Sequence, residues 1–423
     1  RYPARMHMRP RVVLALALPL LAACARQPEP PAAAANGDYR VQVWPLPAAA
    51  GAASPDLSLA PGGRLLLSWM SRQPGRRNAL QFASWSRDGG WQSQPRTIAV
   101  GQSLVANWAD VPHLRATPDG ALWVQWLQAD PGNPSGYHAV LARSRDGGMR
   151  WEQMTRINDD QGPGEHGFAA LWPIGADRLG VAWLDGRAQG MAGHAHAGAH
   201  AGAMQLRANA FDMDLGRGSD AVVDAATCDC CQTDVAPTAR GPLLVYRDRG
   251  EGELRDIASV RFEGGRWTPP VAVHADGWKV EACPVNGPAV AARGNDAVVA
   301  WYSEAGGEPA VRLARSKDAG DRYAPPVVID RGQRVLGQVD VAVDADQAWI
   351  AWLREDATGQ AVMLARYTPD LSKELQRIEV ARPAGRGHAT GAPRLVADGG
   401  SAWLVWTDVV EGVAHLQGAQ LVR

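Results

Sequence analysis

One-signed charge is missing from this chain. Its 423 residues carry 43 basic and 44 acidic side chains, a formal net charge of −1, so there is no field to gather nucleic acid or an acidic lipid surface, and no RNA- or DNA-binding signature is present. No segment sustains a helical period, which leaves an α-helical fold without support. There is no Walker loop, no His-Glu-x-x-His and no Gly-x-Ser-x-Gly, and phosphoryl transfer, zincin chemistry and serine hydrolysis lose their foothold with them. The one apolar run, residues 12–21, is too short to span a bilayer. Phenylalanine is scarce, four residues against 17 tryptophans; 46 glycines and 30 prolines complete a composition that suits many short strands joined by turns.

Those strands repeat. An apolar segment ending in an aromatic recurs at Leu65–Trp69, Leu122–Trp126, Leu179–Trp183, Leu243–Tyr246, Ala297–Trp301, Ala348–Trp352 and Ala402–Trp406, the aromatics standing 51 to 63 residues apart. Each is followed by an alternating strand, and most are preceded by a turn such as Pro118-Asp119-Gly120 or Gly294-Asn295-Asp296 with another short strand before it. Seven units of three or four strands predict an all-β propeller, with seven blades favoured and six the alternative. The last unit lacks a fourth strand, and Tyr39–Pro47 is an unassigned strand at the front; pairing the two would close the ring and remove a sheet edge.

A second repeat overlies the first. Ser144-Arg-Asp146-Gly-Gly148-Met-Arg-Trp151 has the makings of a tight turn: short polar side chains to bond backbone amides, glycines for positive φ and a tryptophan to cover the hairpin. Ser316-Lys-Asp318-Ala-Gly320-Asp-Arg-Tyr323 is a second full copy, Ser86-Arg-Asp88-Gly-Gly90-Trp91 a shortened one, and Gly264-Gly265-Arg266-Trp267 a remnant. The pattern resembles the Asp-box (BNR) repeat of the sialidase-like β-propellers. The resemblance implies that the boxes join third and fourth strands and are structural, and that ligands bind on the opposite face, where blade-to-blade connections and second-to-third-strand loops surround the channel.

At the front, Arg5, Arg9 and Arg11 precede the apolar run, which ends in Leu21-Ala-Ala-Cys24. Residues 1–24 read as a bacterial lipoprotein signal peptide, with Cys24 the lipidated residue, and residues 25–38, rich in Pro and Ala, as a tether. With Ala25 after the cysteine, an outer-membrane lipoprotein facing the periplasm or the cell surface is expected, touching the membrane only through its lipid. Residues 39–423 remain for the propeller.

The chemistry-bearing residues gather on the implied ligand face. Cys228, Cys230 and Cys231 precede the first strand of unit four and Cys283 that of unit five, so adjacent blades would bring four cysteines together. In an exported protein, disulfide stapling is one reading, with one of the first three paired to Cys283. A soft-metal site is the other: Cys228, Cys230, Cys231 and Cys283, with His194, His196 and His200 from the Gly/Ala-rich run 190–203, would hold copper or zinc. Read as a run of neighbours, the cysteines match no classical zinc spacing. Arg187, Arg247, Arg249 and Asn286 are candidates for a carboxylate-bearing ligand, although alternation of Arg with Asp suits loop bracing equally.

Two function classes follow. One is a ligand-binding module whose partner is a cell-envelope glycan, a metal ion or an envelope protein. The other is an exo-sialidase-type glycosidase acting on anionic glycans, for which the resemblance calls for an arginine triad, an Asp acid/base and a Tyr/Glu pair. The family's Arg-Ile-Pro is absent near the first blade and no Tyr/Glu pair can be assigned, so no catalytic residue is named. A disulfide-braced scaffold binding protein or glycan is the variant without metal.

Overall fold

The computed structural model describes residues 37–423 apart from 93, 132, 161, 163 and 190–201. The predicted signal peptide, Cys24 and the three histidines lie outside the described residues. Seven antiparallel sheets form a β-propeller, as the repeats predicted. Their inner strands are Ala52–Ala60, His113–Ala116, His166–Ile174, Asp234–Thr238, Ala289–Arg293, Val335–Val343 and Gly391–Asp398, in blades 1 to 7. Six blades run outward from inner strand to fourth strand in chain order. In blade 7 the outermost strand is Arg40–Val43, paired with Val413–Val422 in the register Arg40↔Val422 to Val43↔Ala419.

The aromatic-ended segments are the second strands, and their large side chains lie between sheets: Trp69, Trp123, Trp183, Trp301, Trp349, Trp352 and Trp403 are all under 2 % exposed. Two-faced burial is why these strands read as continuous apolar runs instead of alternating ones. The closing strand is anchored by Tyr39. Its ring packs edge-on against Trp349 at 4.9 Å and under the Arg366 guanidinium at 4.2 Å, while its hydroxyl donates to the Gly400 carbonyl.

The Asp-box turns sit between third and fourth strands. Ser144 Oγ donates to Asp146 Oδ1 and accepts from the Gly148 amide, and Asp146 accepts from the amides of Met149 and Arg150. Ser316 and Asp318 repeat the arrangement with the amides of Gly320 and Arg322. Each box also leans on the preceding blade. Gly148 lies so close to Phe82 of blade 1 that a Cβ would come within 2.2 Å of its ring, and Trp151 meets the same ring edge-on. In blade 5, the Tyr323 hydroxyl donates to Ser259 of blade 4. The segment Gly264-Gly265 differs: it is a plain two-residue hairpin, both glycines at positive φ, pairing Glu263 with Arg266.

Candidate functional site at the channel mouth

The inner strands carry a recurring irregularity. In blades 1, 3, 6 and 7 a bulge near the strand start holds a non-glycine residue at positive φ: Ser54, Phe168, Gln338 and Ala392, with φ of 51–55°. Such bulges re-aim the side chains and amides that follow. At three junctions they accompany a carboxylate of one blade, or of the connection entering it, reaching an amide of the next; a fourth, from Asp234, forms without a bulge. Asp56 accepts from the Leu114 amide, Asp110 from Phe168, Asp234 from Val290 and Asp340 from Leu395. Gly167 makes the second of these possible, since a Cβ there would stand 2.1 Å from Asp110 Oδ2. Among the described residues, four of the seven blade junctions are thus clasped by a carboxylate lining the axial channel, buried at Asp56 and Asp110 and half-buried at Asp234 and Asp340.

The channel also holds His113, Arg115 and Arg394. Burial disfavours the Asp56 anion, but Arg115 at 2.6 Å and His113 at 3.0 Å prevail and hold its carboxyl well below the usual range. Asp110 and Asp340 are both pushed up to about 7 by burial, assisted by Glu165 and Asp234 respectively; the Phe168 amide opposes the shift at Asp110, and Arg394 and then the Leu395 and Val341 amides oppose it at Asp340. Asp234 is raised for the same first cause.

Where the channel opens on the face of the blade connections, a cleft of about 610 Å³ lies between blades 7 and 1. Trp108, from the connection entering blade 2, stacks on His388, from the connection entering blade 7, with centroids 5.0 Å apart and planes at 24°. Exposed Arg72 and half-buried Arg394 stand among the cleft residues, with Asn78, Thr407 and apolar Met70 and Val409. Sequence reasoning missed this site. Its aromatic, imidazole and guanidinium come from segments hundreds of residues apart, and the readable signal was faint: an Asp followed by Val or Leu stands on an inner strand at 56, 234 and 340 and just before one at 110, and Trp108 lies two residues before Asp110.

The residues singled out from sequence lie elsewhere on this face, around blades 3 to 5. Arg187 contacts Asp185, Asp159, Asp160 and Asp220. Asp160, His166 and Asp185 converge closely enough for one ion, and His138 stacks on His166. The Arg187 guanidinium already supplies the positive charge that this group needs. Arg249 pairs with Glu253 and Asp229. Arg247, 2 % exposed, gives its donors to the carbonyls of Asn286, Arg255 and Tyr302 and lies over Trp278. Asn286 bridges to blade 6 through Leu336 and Gln338. These four side chains brace loops, with their polar atoms engaged by protein.

All four cysteines do come together. Cys230 and Cys283 form a disulfide, Cα atoms 6.0 Å apart, stapling the connections that enter blades 4 and 5. In this state those two are not thiolate ligands, which corrects their assignment as metal ligands. Cys228 and Cys231 are thiols, each 1 % exposed, with sulfurs 2.7 Å apart. They are spaced Cys-x-x-Cys, across Asp229 and Cys230, which reading the run as neighbours concealed. The Cys231 thiol as hydrogen-bond partner, a backbone amide and the charges of Arg247 and Arg255 draw Cys228 below the ordinary thiol range against its burial; burial pushes Cys231 up.

No protein-family model matches the chain, and no curated protein matches it. Solved structures do. The polysaccharide lyase Uly1 superposes with a TM-score of 0.51 at 8 % identity, covering 87 % of this chain and 89 % of that one. A protein of unknown function from Dyadobacter fermentans gives 0.48 at 13 %, covering 88 % and 95 %. The α-L-arabinofuranosidase Arb93A from Fusarium graminearum gives 0.46 at 13 %, covering 91 % and 97 %. The sialidase NanB gives 0.46 at 9 %, covering 87 % and 85 %. At 8 % identity the likeness to Uly1 bears on the fold alone.

Proposed function

We propose that the protein is an envelope-anchored lipoprotein whose propeller binds an anionic glycan in the cleft between blades 7 and 1. The observation that carries this reading is the cleft itself: a stacked Trp108–His388 pair to lie against a sugar ring, with Arg72 and Arg394 to meet a carboxylate or sulfate. That Uly1 is a polysaccharide lyase and NanB a sialidase supports a glycan as the ligand class. The expected anchor is Cys24, in the outer membrane. No carboxyl lines the cleft among the described residues, and those of the adjoining channel are engaged by neighbouring amides, so binding is favoured over hydrolysis.

The test is calorimetric titration with uronate-containing oligosaccharides and neutral ones of equal length. Acidic ligands should bind, more weakly as salt rises, and Arg72→Gln, at an exposed side chain of the cleft, should lower affinity roughly tenfold or more with the melting temperature held. Failure of every acidic oligosaccharide to bind defeats the reading, and reducing-end release in the same samples would reveal hydrolysis. A second reading attaches to the cysteines: three sulfurs within 4.8 Å would, once reduced, offer thiolates to a soft ion, copper or zinc.

A further inference from the structure

The cleft makes no use of the cysteine cluster, whose arrangement has a direction. Cys283 is exposed and Cys230 half-buried, whereas Cys228 and Cys231 are shut beneath them. The sulfurs of Cys228, Cys230 and Cys231 lie within 4.8 Å of one another. A dithiol therefore stands directly behind a disulfide that has one face in solvent.

We propose that these four cysteines are a thiol–disulfide exchange site, with Cys283 the outward-facing sulfur, the Cys228–Cys231 dithiol an internal electron store, and a disulfide of an envelope protein or small molecule the substrate. The steps balance. Cys228, as thiolate, attacks Cys230 sulfur; the Cys230–Cys283 bond breaks and Cys283 leaves as a thiolate. Cys231 attacks Cys228 and releases Cys230, its proton passing to the departing Cys230 sulfur, so that the buried pair is oxidised and the outer pair reduced. The Cys283 thiolate then attacks the substrate disulfide, one substrate thiolate departs, and Cys230 displaces the second, restoring Cys230–Cys283. Two electrons pass from the buried dithiol to the substrate, which leaves as two thiols.

Arg247 supports the first step. It is a buried cation whose donors are spent on carbonyl oxygens, and its backbone carbonyl accepts from the Cys228 amide, so a fixed positive charge stands on the residue paired to the attacking cysteine. The staple is also placed for access, since it joins two loops on the open face of the propeller while the dithiol behind it is closed to solvent.

The experiment uses the full chain, purified anaerobically and equilibrated with glutathione buffers of graded ratio, then acid-quenched, alkylated and mapped by mass spectrometry without reduction. Zinc and copper content is measured on the same samples. The expected result is a population with Cys228 paired to Cys231 and with Cys283 alkylated. Cys231→Ser should accumulate the Cys228–Cys230 intermediate at least tenfold over wild type. Should that variant not fold, Cys228→Ser must leave Cys230–Cys283 as the sole intramolecular pair. Persistence of Cys228 and Cys231 as unpaired thiols at every ratio overturns the proposal. Stoichiometric zinc or copper holding those two thiols unreactive also overturns it, in favour of the metal reading, and neither outcome bears on glycan binding.

Discussion

Asp340 shows how one side chain ties the channel together at an electrostatic cost. Its carboxyl accepts from the amides of Leu395 in blade 7 and Val341 beside it, yet burial first, and then Asp234, push its pKa up to about 7. A folded-state pKa above the unfolded value means that the native protein binds more protons between about 4 and 7, so the contribution to stability is full below the unfolded pKa and is lost as pH rises through about 7. Asp340→Asn keeps an acceptor for one of the two amides and removes the titration, so it adds a constant offset but no pH dependence. The stability difference, wild type minus variant, should therefore fall from pH 5 to pH 8 and flatten above. Urea unfolding at four pH values measures it, and a difference independent of pH would show that Asp340 is ionised throughout. Comparison with the variant is required because His113 and His138, both lowered chiefly by burial, oppose the trend as pH falls.

At the scale of the element, the Asp-box turn is a latch between blades as well as a corner within one. Ser144 is fully buried and its hydroxyl serves both Asp146 and the Gly148 amide. Ser144→Ala should destabilise by roughly 1–3 kcal/mol, the cost of leaving a buried amide unsatisfied, read from the denaturant midpoint. Glycan affinity of the folded protein should not change, because the box lies on the face opposite the cleft. The local bonds were legible from Ser, Asp and Gly at fixed offsets, which bond within a few residues of themselves. Packing of the box on the preceding blade was not, since nothing near residue 148 says that Phe82 will lie over it.

For the whole molecule, the decisive element is the short strand Arg40–Val43, which makes a closed ring of an open array. Tyr39 fixes its end against Trp349, Arg366 and Gly400. Tyr39→Ala should cost roughly 3–5 kcal/mol by analogy with other large aromatic deletions; two-probe denaturation, by Trp fluorescence and far-UV circular dichroism, checks it, and unchanged stability would mean that closure depends on the strand's backbone alone. The number of blades, the velcro strand and the face carrying the cysteines were all readable in the sequence, because each repeat buries its second strand on both sides and records that in a run of apolar residues ending in an aromatic. The candidate ligand site was not. Trp108, His388, Arg72 and Arg394 become neighbours only when blade 7 closes on blade 1, and Arg187, Arg247, Arg249 and Asn286, plausible ligand residues by type, turn inward to carboxylates and carbonyls. The sequence by itself determined the repeat and its period, since hydrophobic patterning and turn chemistry act over a few residues. Only the tertiary structure decided which polar groups keep an open side and which cysteine pairs with which, since both depend on distances set by ring closure between residues far apart in the chain.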